Sequence, residues 1–307
     1  MNRDKIKKKF FFEKLNLKSF ILPASGTIPF DFENFYLKNK SVLDCVVTKT
    51  ITFRPLVGNV GNKIYVGQNY IFNSIGLRNP GLEDFKKFYL VPVLKKYPEI
   101  KIIVSVIGDE EEVLKVIPDL NQYSQIIGYE INFSCPNIKK ETNNNYFSET
   151  NILNLLKKIR SQTEKKIFIK VSSIIIGIIQ KNINFINSVG IDAITVSNSI
   201  PGFVPGLKKN EHYFEKIYSG MSGPAIKHLV LAEIYKLKAL TTIPVIGCGG
   251  ITTFKDVLDY FKAGAEMIQV GSANFYDENV YIKIMSDLNI FLTKNNFSLE
   301  TFLEKKY

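Results

Sequence analysis

The sequence predicts an α/β fold, and within that class a (β/α)8 barrel of the TIM type occupying residues 1–307 as a single domain. Three observations predict it. Short apolar runs alternate with helix-like stretches from one end of the chain to the other, the order expected of parallel strands joined by helical crossovers. There are eight such runs, nearly continuous in apolar residues, so closure into a barrel is favoured over an open doubly wound sheet. Polar and glycine residues follow most of the runs at once, on the face where such barrels keep their sites.

The first strand covers 19–24 and stops at Ser25-Gly26; a poor helical pattern at 32–37 leads to the second, 43–48, which ends on Lys49-Thr50. An insertion at about 51–80 separates it from a helix over 82–97. The third strand, 101–106, precedes a helix at 110–120, and the fourth, 126–133, runs out into Cys135-Pro136-Asn137. A helix at 149–162, a fifth strand at 166–171 carrying Lys170 and a helix at 175–189 follow. The sixth strand, 193–197, gives onto Asn198-Ser199 and a second insertion at about 200–223. Beyond the helix at 225–240, the seventh strand, 243–247, meets Gly249-Gly250; after the helix at 254–263 the eighth, 267–271, meets Gly271-Ser272, and a helix at 278–292 closes the pattern. There is no internal repeat beyond the βα unit, no low-complexity segment and no linker.

A chain of 307 residues at 45% hydrophobic can bury a large core, and one barrel with insertions uses nearly all of it. The net charge of +11 comes from lysines scattered along the length, densest at 5–9 and Lys305-Lys306, which reads as a solvated surface and not as a nucleic-acid interface. Three cysteines without a CxxC pair speak against a disulfide framework, a zinc site or an iron–sulfur cluster held by this chain, and for a reducing, cytoplasmic compartment. The run Phe10-Phe11-Phe12 is too short for a signal-peptide core or a membrane span, so no membrane attachment is expected. His212 and His228 lie sixteen positions apart with no carboxylate pattern, so no metal is expected there. Cys45 and Cys248 read as packing residues, the latter with some sensitivity to oxidation.

The chemistry points elsewhere. Cys135 ends an apolar strand among Asn132, Ser134 and Asn137, which can hold a polar ligand, and it reads as a catalytic base; the alternative is a small buried hydrophobe. Lys170, finishing the run Ile167-Phe168-Ile169, is placed to point its ammonium into the barrel mouth, the alternative being a surface lysine at a frayed strand end. Gly249-Gly250 and Gly271-Ser272 form two small-residue turns whose amides can converge on one anion, where barrels commonly bind phosphate, although tight turns also need glycine for steric reasons. With Lys170 and Lys49 on other strands, the phosphorylated cofactor can be flavin mononucleotide (FMN), Lys170 offering positive charge to the pyrimidine edge of its ring. The turn-rich loop 73–81, with Asn132, Asn137 and Asn198, suits a pyrimidine-like ligand bearing carboxylate and imide groups.

Several stretches occur here in one order: Pro23-Ala24-Ser25-Gly26-Thr27, Val47-Thr48-Lys49-Thr50, 73–81, 131–137, Ile169-Lys170-Val171, Asn198-Ser199, 220–227, 243–251 and 269–275. Together they resemble the class 1 dihydroorotate dehydrogenases over nearly the full length. Within class 1, the stretches 23–27, 222–227 and 271–275 look more like the catalytic subunit of the NAD-linked 1B type than like the fumarate-using 1A enzyme. A serine in place of Cys135 would instead resemble the membrane-associated class 2 enzymes.

The resemblance implies FMN-dependent oxidation of (S)-dihydroorotate to orotate in pyrimidine biosynthesis. One FMN per chain is expected on Ser25, Lys49, Thr50, Asn132, Lys170, Gly223, Gly249, Gly250, Gly271 and Ser272. Dihydroorotate is expected on Lys49, Asn73, Ser74, Ile75, Gly76, Leu77, Asn132, Asn198 and Ser199, with Cys135 taking a proton from C5 while hydride passes from C6 to flavin N5. Activity should then rise on the alkaline side, since a free thiol titrates at about 8.5. A homodimer and an electron-transfer subunit carrying FAD and a [2Fe–2S] cluster are the implied partners.

The chain departs from the family at named positions. Ser105 stands where an asparagine is usual, 172–174 read Ser-Ser-Ile in place of Ser-Pro-Asn, Ser197 replaces an aliphatic residue, Ser199 replaces a threonine, and the loop after Asn137 lacks its glycines. The loop change bears on turnover and lid motion. Three other readings remain beside the first: a fumarate-linked 1A enzyme, a tRNA dihydrouridine synthase, which would need an RNA-binding domain, and a flavin-binding subunit that no longer turns over.

Overall fold

The computed structural model describes residues 10–133, 148–173, 175–208, 211–299 and 301. Among them are twelve strands: β1 (Ile21–Pro23), β2 (Cys45–Val47), β3 (Ile64–Val66), β4 (Ile71–Asn73), β5 (Lys101–Val106), β6 (Ile126–Asn132), β7 (Lys166–Val171), β8 (Ala193–Val196), β9 (Ile200–Gly202), β10 (Ser219–Ser222), β11 (Val245–Cys248) and β12 (Met267–Val270). Eight form one all-parallel sheet in the order β1-β12-β11-β8-β7-β6-β5-β2, and β1 lies beside β2, so the sheet comes round into a nearly closed barrel. Every strand expected from the apolar runs is present, with ends shifted by up to two residues.

The strand period of two sorts side chains between barrel interior and helix layer. On β6, Tyr129 faces outward and its hydroxyl donates to Ile117 O and Asn121 Oδ1, while Gly128, Glu130 and Asn132 face inward. Register carries that sorting around the barrel: Glu130 lies opposite Ser105 and Phe168, Asn132 opposite Lys170, Lys170 opposite Thr195, and Cys248 opposite Gln269. Outward residues such as Ile131, Ile167, Ile169 and Ile268 are fully buried under the helices. Each such side chain contributes about 1.5–3 kcal/mol through lost contact with water.

Helices covering the barrel include Glu33–Asn39, Glu110–Leu120, Glu149–Gln162, Lys227–Lys238, Phe254–Ala263 and Val280–Lys294. Two expected helices are irregular. The 82–97 pattern is realised as Gly81–Asp84, a π-helical turn at Phe85–Leu90, and Val91–Lys96. Pro92, which has no N–H to give to the preceding turn, accounts for the widening. The 175–189 pattern is broken at Asn182, which ends Ile176–Lys181, donates its side chain to Ile178 O and starts Ile183–Val189. No helix among the described residues is long and apolar enough to cross a membrane.

The two insertions are not bare loops. They pair with each other into a four-stranded antiparallel sheet, order β3-β4-β10-β9, whose small core is Phe72, Val204 and Phe214 packed by Tyr65, Tyr70 and Tyr213.

Asp256 ties the turn after β11 to the helix that follows it. One oxygen accepts from the backbone and side chains of Thr252 and Thr253 at 2.8–3.0 Å, and the other accepts from Lys227 Nζ at 2.7 Å. Burial works to raise the Asp256 pKa, but Lys227 and these donors outweigh it and hold the carboxyl below its ordinary range. A depressed carboxyl contributes stability that is present at neutral pH and is lost as pH falls through its folded value. Asp256→Ala is therefore expected to cost about 2 kcal/mol at pH 7. Urea unfolding of variant and parent should converge only in strong acid, and equal stability at pH 7 would refute the role.

Candidate active site

A cavity of about 260 Å³ opens at the C-terminal ends of the barrel strands and extends to residues of the small sheet. Every described cofactor or substrate residue expected from the sequence lines it except Ser74. Ser74 is buried, and its hydroxyl accepts from Asn59 Nδ2 at 3.0 Å, bracing the loop instead of facing a ligand. Ser134, Cys135 and Asn137 lie outside the described residues.

One side of the cavity is a glycine cradle. Gly223, Gly249 and Gly250 all have positive φ, at 98°, 144° and 66°. A Cβ on Gly250 would lie 2.9 Å from Lys227 Cβ and 3.0 Å from Gly223 O, so only glycine lets these turns meet. Gly271 differs, because a Cβ there would come no nearer than 3.4 Å to the chain, from Ala24. Steric need within the protein therefore does not demand glycine at 271. Tyr260 supports the cradle from outside by donating its hydroxyl to Gly249 O. Gly250→Ala is expected to weaken retention of a phosphorylated ligand at least tenfold, read by fluorescence titration of the ligand-free protein, whereas unchanged affinity would remove the cradle from binding.

The same cavity holds positive charge. Lys170 is 2% exposed, and its Nζ donates to Gln269 Oε1 at 2.8 Å and lies 3.6 Å from Glu130 Oε1. Burial opposes its charge, but the Glu130 carboxylate beside it holds the ammonium above its ordinary pKa. Burial raises the Cys248 thiol, so that neighbour stays protonated. Lys49 is half-buried and stands 5.6 Å from the Phe30 ring; burial, then the nearby Arg78, lower its pKa.

A hydroxyl and amide network also runs along the cavity. Thr50 Oγ1 accepts from Asn132 Nδ2 at 3.2 Å and meets Ser25 Oγ at 3.2 Å and Ser105 Oγ at 2.9 Å. Asn132 Oδ1 in turn accepts from Asn198 Nδ2 at 3.2 Å, and Asn198 Oδ1 accepts from Ser199 N at 2.8 Å. Ser105 is wholly buried under Thr50 and does not line the cavity, so its hydroxyl reaches that space through Thr50. Asn73, Ile75, Gly76 and Leu77 line the cavity from the first insertion, with Asn73 Nδ2 donating to Gly220 O at 3.2 Å.

The sequence reading passed over Arg78, Tyr218 and Ile226, which also line the cavity, and the residues behind Lys170. Strand alternation holds the signal for Glu130, which must share the inward face with Asn132 two positions on. Among the described residues, no group of three or more His, Cys, Asp or Glu side chains is arranged to hold a metal ion.

Comparison with known proteins bears on what such a cavity serves. The profile of the family described as dihydroorotate dehydrogenase matches residues 8–292. The catalytic subunit of dihydroorotate dehydrogenase B (NAD(+)) from Thermoanaerobacter pseudethanolicus is 32% identical over 284 residues, 92% of each chain. The proteins of the same name from Thermodesulfovibrio yellowstonii and Oceanobacillus iheyensis are each 32% identical, covering 92% of both chains in the first case and 95% of this chain and 96% of the relative in the second.

Proposed function

The chain belongs to the dihydroorotate dehydrogenase family, and from that premise we propose that it oxidises (S)-dihydroorotate to orotate as the catalytic subunit of a 1B-type, NAD-linked enzyme of pyrimidine biosynthesis. The observation that carries the reading is one cavity lined by both a glycine cradle and a buried ammonium, the donor set that a phosphorylated, electron-accepting ring requires. FMN bound there supplies a two-electron acceptor at N5 for the hydride leaving C6 of the substrate. Gly223, Gly249, Gly250, Gly271 and Ser272 hold its phosphate, Ser25, Thr50 and Asn132 its polar edges, and Lys170 the pyrimidine edge that gains negative charge.

Lys49, Asn73, Ile75, Gly76, Leu77, Asn132, Asn198 and Ser199 hold the substrate. Lys49, already pressed by Arg78 and burial, gains a partner when the substrate carboxylate arrives. Asn132 and Asn198, locked to each other, present fixed amide edges to the ring and cost little to order on binding. Cys135 takes the C5 proton as thiolate, next to the C4 carbonyl, and the hydride leaves from C6, so the substrate loses one proton and one hydride. A second subunit with FAD and a [2Fe–2S] cluster passes the electrons to NAD, and the catalytic chain forms a homodimer. The test is the visible spectrum of the purified chain before and after anaerobic addition of dihydroorotate. Bleaching of a flavin band is expected, and a colourless protein, or a yellow one that dihydroorotate leaves unbleached, would overturn the reading.

A further inference from the structure

We propose that Glu130, with Gln269, is the positioning pair for Lys170: the two side chains fix the ammonium at the cavity and give it a counter-charge inside the barrel, setting how strongly it draws electrons into a bound cofactor. The proposal rests on the FMN reading above. Glu130, Gln269 and Lys170 are almost entirely buried, and they come from β6, β12 and β7. Gln269 is the bridge, for its Oε1 accepts from Lys170 Nζ at 2.8 Å while its Nε2 donates to Glu130 Oε2 at 2.5 Å. The opposite amide orientation would set an NH2 group against the ammonium, so the network fixes this one. Thr195 Oγ1 adds a second donor to Glu130 Oε2 at 3.2 Å. The remaining oxygen, Oε1, has no hydrogen-bond donor among the described residues and lies 3.6 Å from Lys170 Nζ. It is held as a charge partner and not as a direct hydrogen-bond acceptor.

Register places the carboxylate behind the ammonium. Glu130 pairs with Phe168, two residues before Lys170 on β7, so it lies one inward layer deeper, away from the mouth. A ligand in the cavity meets the positive group first. Packing does not account for this arrangement, since a buried ion pair is commonly no more stabilising than apolar residues of similar volume. The groups facing Lys170 from the neighbouring strands are Thr195 on β8, Asn132 on β6, Gln269 on β12 and Cys248 on β11, whose thiol burial keeps protonated. Glu130 is the carboxylate among them, and Lys49 is the other cavity lysine.

With Glu130 in place, Lys170 keeps its proton whether the cofactor is oxidised or reduced. Remove the carboxylate charge and burial alone acts on the ammonium, lowering its pKa until its proton is taken up together with the electrons. The experiment is an anaerobic dye titration of the full-length FMN-bound protein over about pH 6 to about pH 10, the range a buried lysine samples once unpaired. Glu130→Gln should add one proton per two electrons over part of that range. The reduced-to-oxidised ratio at fixed dye potential should then change by a further tenfold per pH unit relative to the parent, about 30 mV for a two-electron couple. Adding Lys170→Met to Glu130→Gln should abolish the extra slope, a result that loss of packing would not give. Should Glu130→Gln fail to fold, Glu130→Leu, which also removes the carboxylate charge, should steepen the slope in the same direction. A folded, yellow Glu130→Gln protein titrating parallel to the parent overturns the proposal, as does parallel titration of Glu130→Leu where only that variant folds. A colourless parent protein overturns the FMN reading and this proposal with it.

Discussion

Cys135→Ala is expected to keep FMN yet reduce it with dihydroorotate about 10²–10⁴-fold more slowly, the span a positioned general base contributes. Retention is expected because no cofactor contact is assigned to the thiol; the holding groups are the glycine cradle, Thr50, Asn132 and Lys170. The slowing is expected because a C5 proton next to a carbonyl needs a base, and Lys49, the cavity lysine whose pKa burial and then Arg78 lower, is taken up by the substrate carboxylate in the proposed site. Asn132 and Asn198 are amides locked to each other, Cys248 is a thiol kept protonated by burial, and the Lys170 ammonium is held above its ordinary pKa. The rate of flavin reduction in the parent should rise with pH through the thiol's titration, which begins from about 8.5 for a free cysteine. The alanine variant should lose that dependence along with the rate. Stopped-flow bleaching at several pH values separates the two, and near-normal, still pH-dependent reduction by Cys135→Ala would remove this residue from the mechanism.

What the sequence made legible follows from the length over which each signal repeats. Eight barrel strands stand out because each is a run of inward and outward apolar residues, as in Lys101–Val106 and Lys166–Val171. The reading 19–24 is wider than the strand, whose register with β12 covers Ile21–Pro23. The small sheet escaped notice because its strands are three or four residues long and two of them, Ile200–Gly202 and Ser219–Ser222, consist largely of glycine, serine and proline. Nothing local announces a strand there; β10 exists because β4 and β9 flank it. At the site, the glycine turns, Lys170 and the asparagines were legible as residue types at strand ends. The service residues were not, because Glu130, Thr195 and Gln269 act through one another across three strands that are distant in sequence. Ser105 shows the same limit: its replacement of asparagine was visible, but its burial beneath Thr50 depends on a neighbour fifty-five positions away.

Lys170→Met should produce the largest loss of stability of any single change in the barrel interior. Methionine fills much of the lysine's volume, so the cost comes from what it leaves behind: Glu130, wholly buried, without its counter-charge. Breaking a buried pair by removing one partner costs about 3–5 kcal/mol. The pH dependence identifies the cause. In the parent, the lysine pKa is raised, so its contribution is complete below the unfolded value and lost only as pH rises through the folded one. In the variant, the carboxylate is left buried without its counter-charge, a cost that protonation relieves. Lys170→Met should therefore recover stability on acidification, and the gap to the parent should be widest from neutral to mildly alkaline pH. Chemical denaturation across that range measures it. A gap that stays constant with pH would mean that only packing was lost and that Glu130 is not charged against Lys170. The same variant should also bind FMN more weakly and reduce it more slowly, since the charge that stabilises the reduced pyrimidine edge is gone. Restoring stability by adding Glu130→Gln should leave that second defect in place, because removing the carboxylate relieves the core without returning a positive group to the cavity.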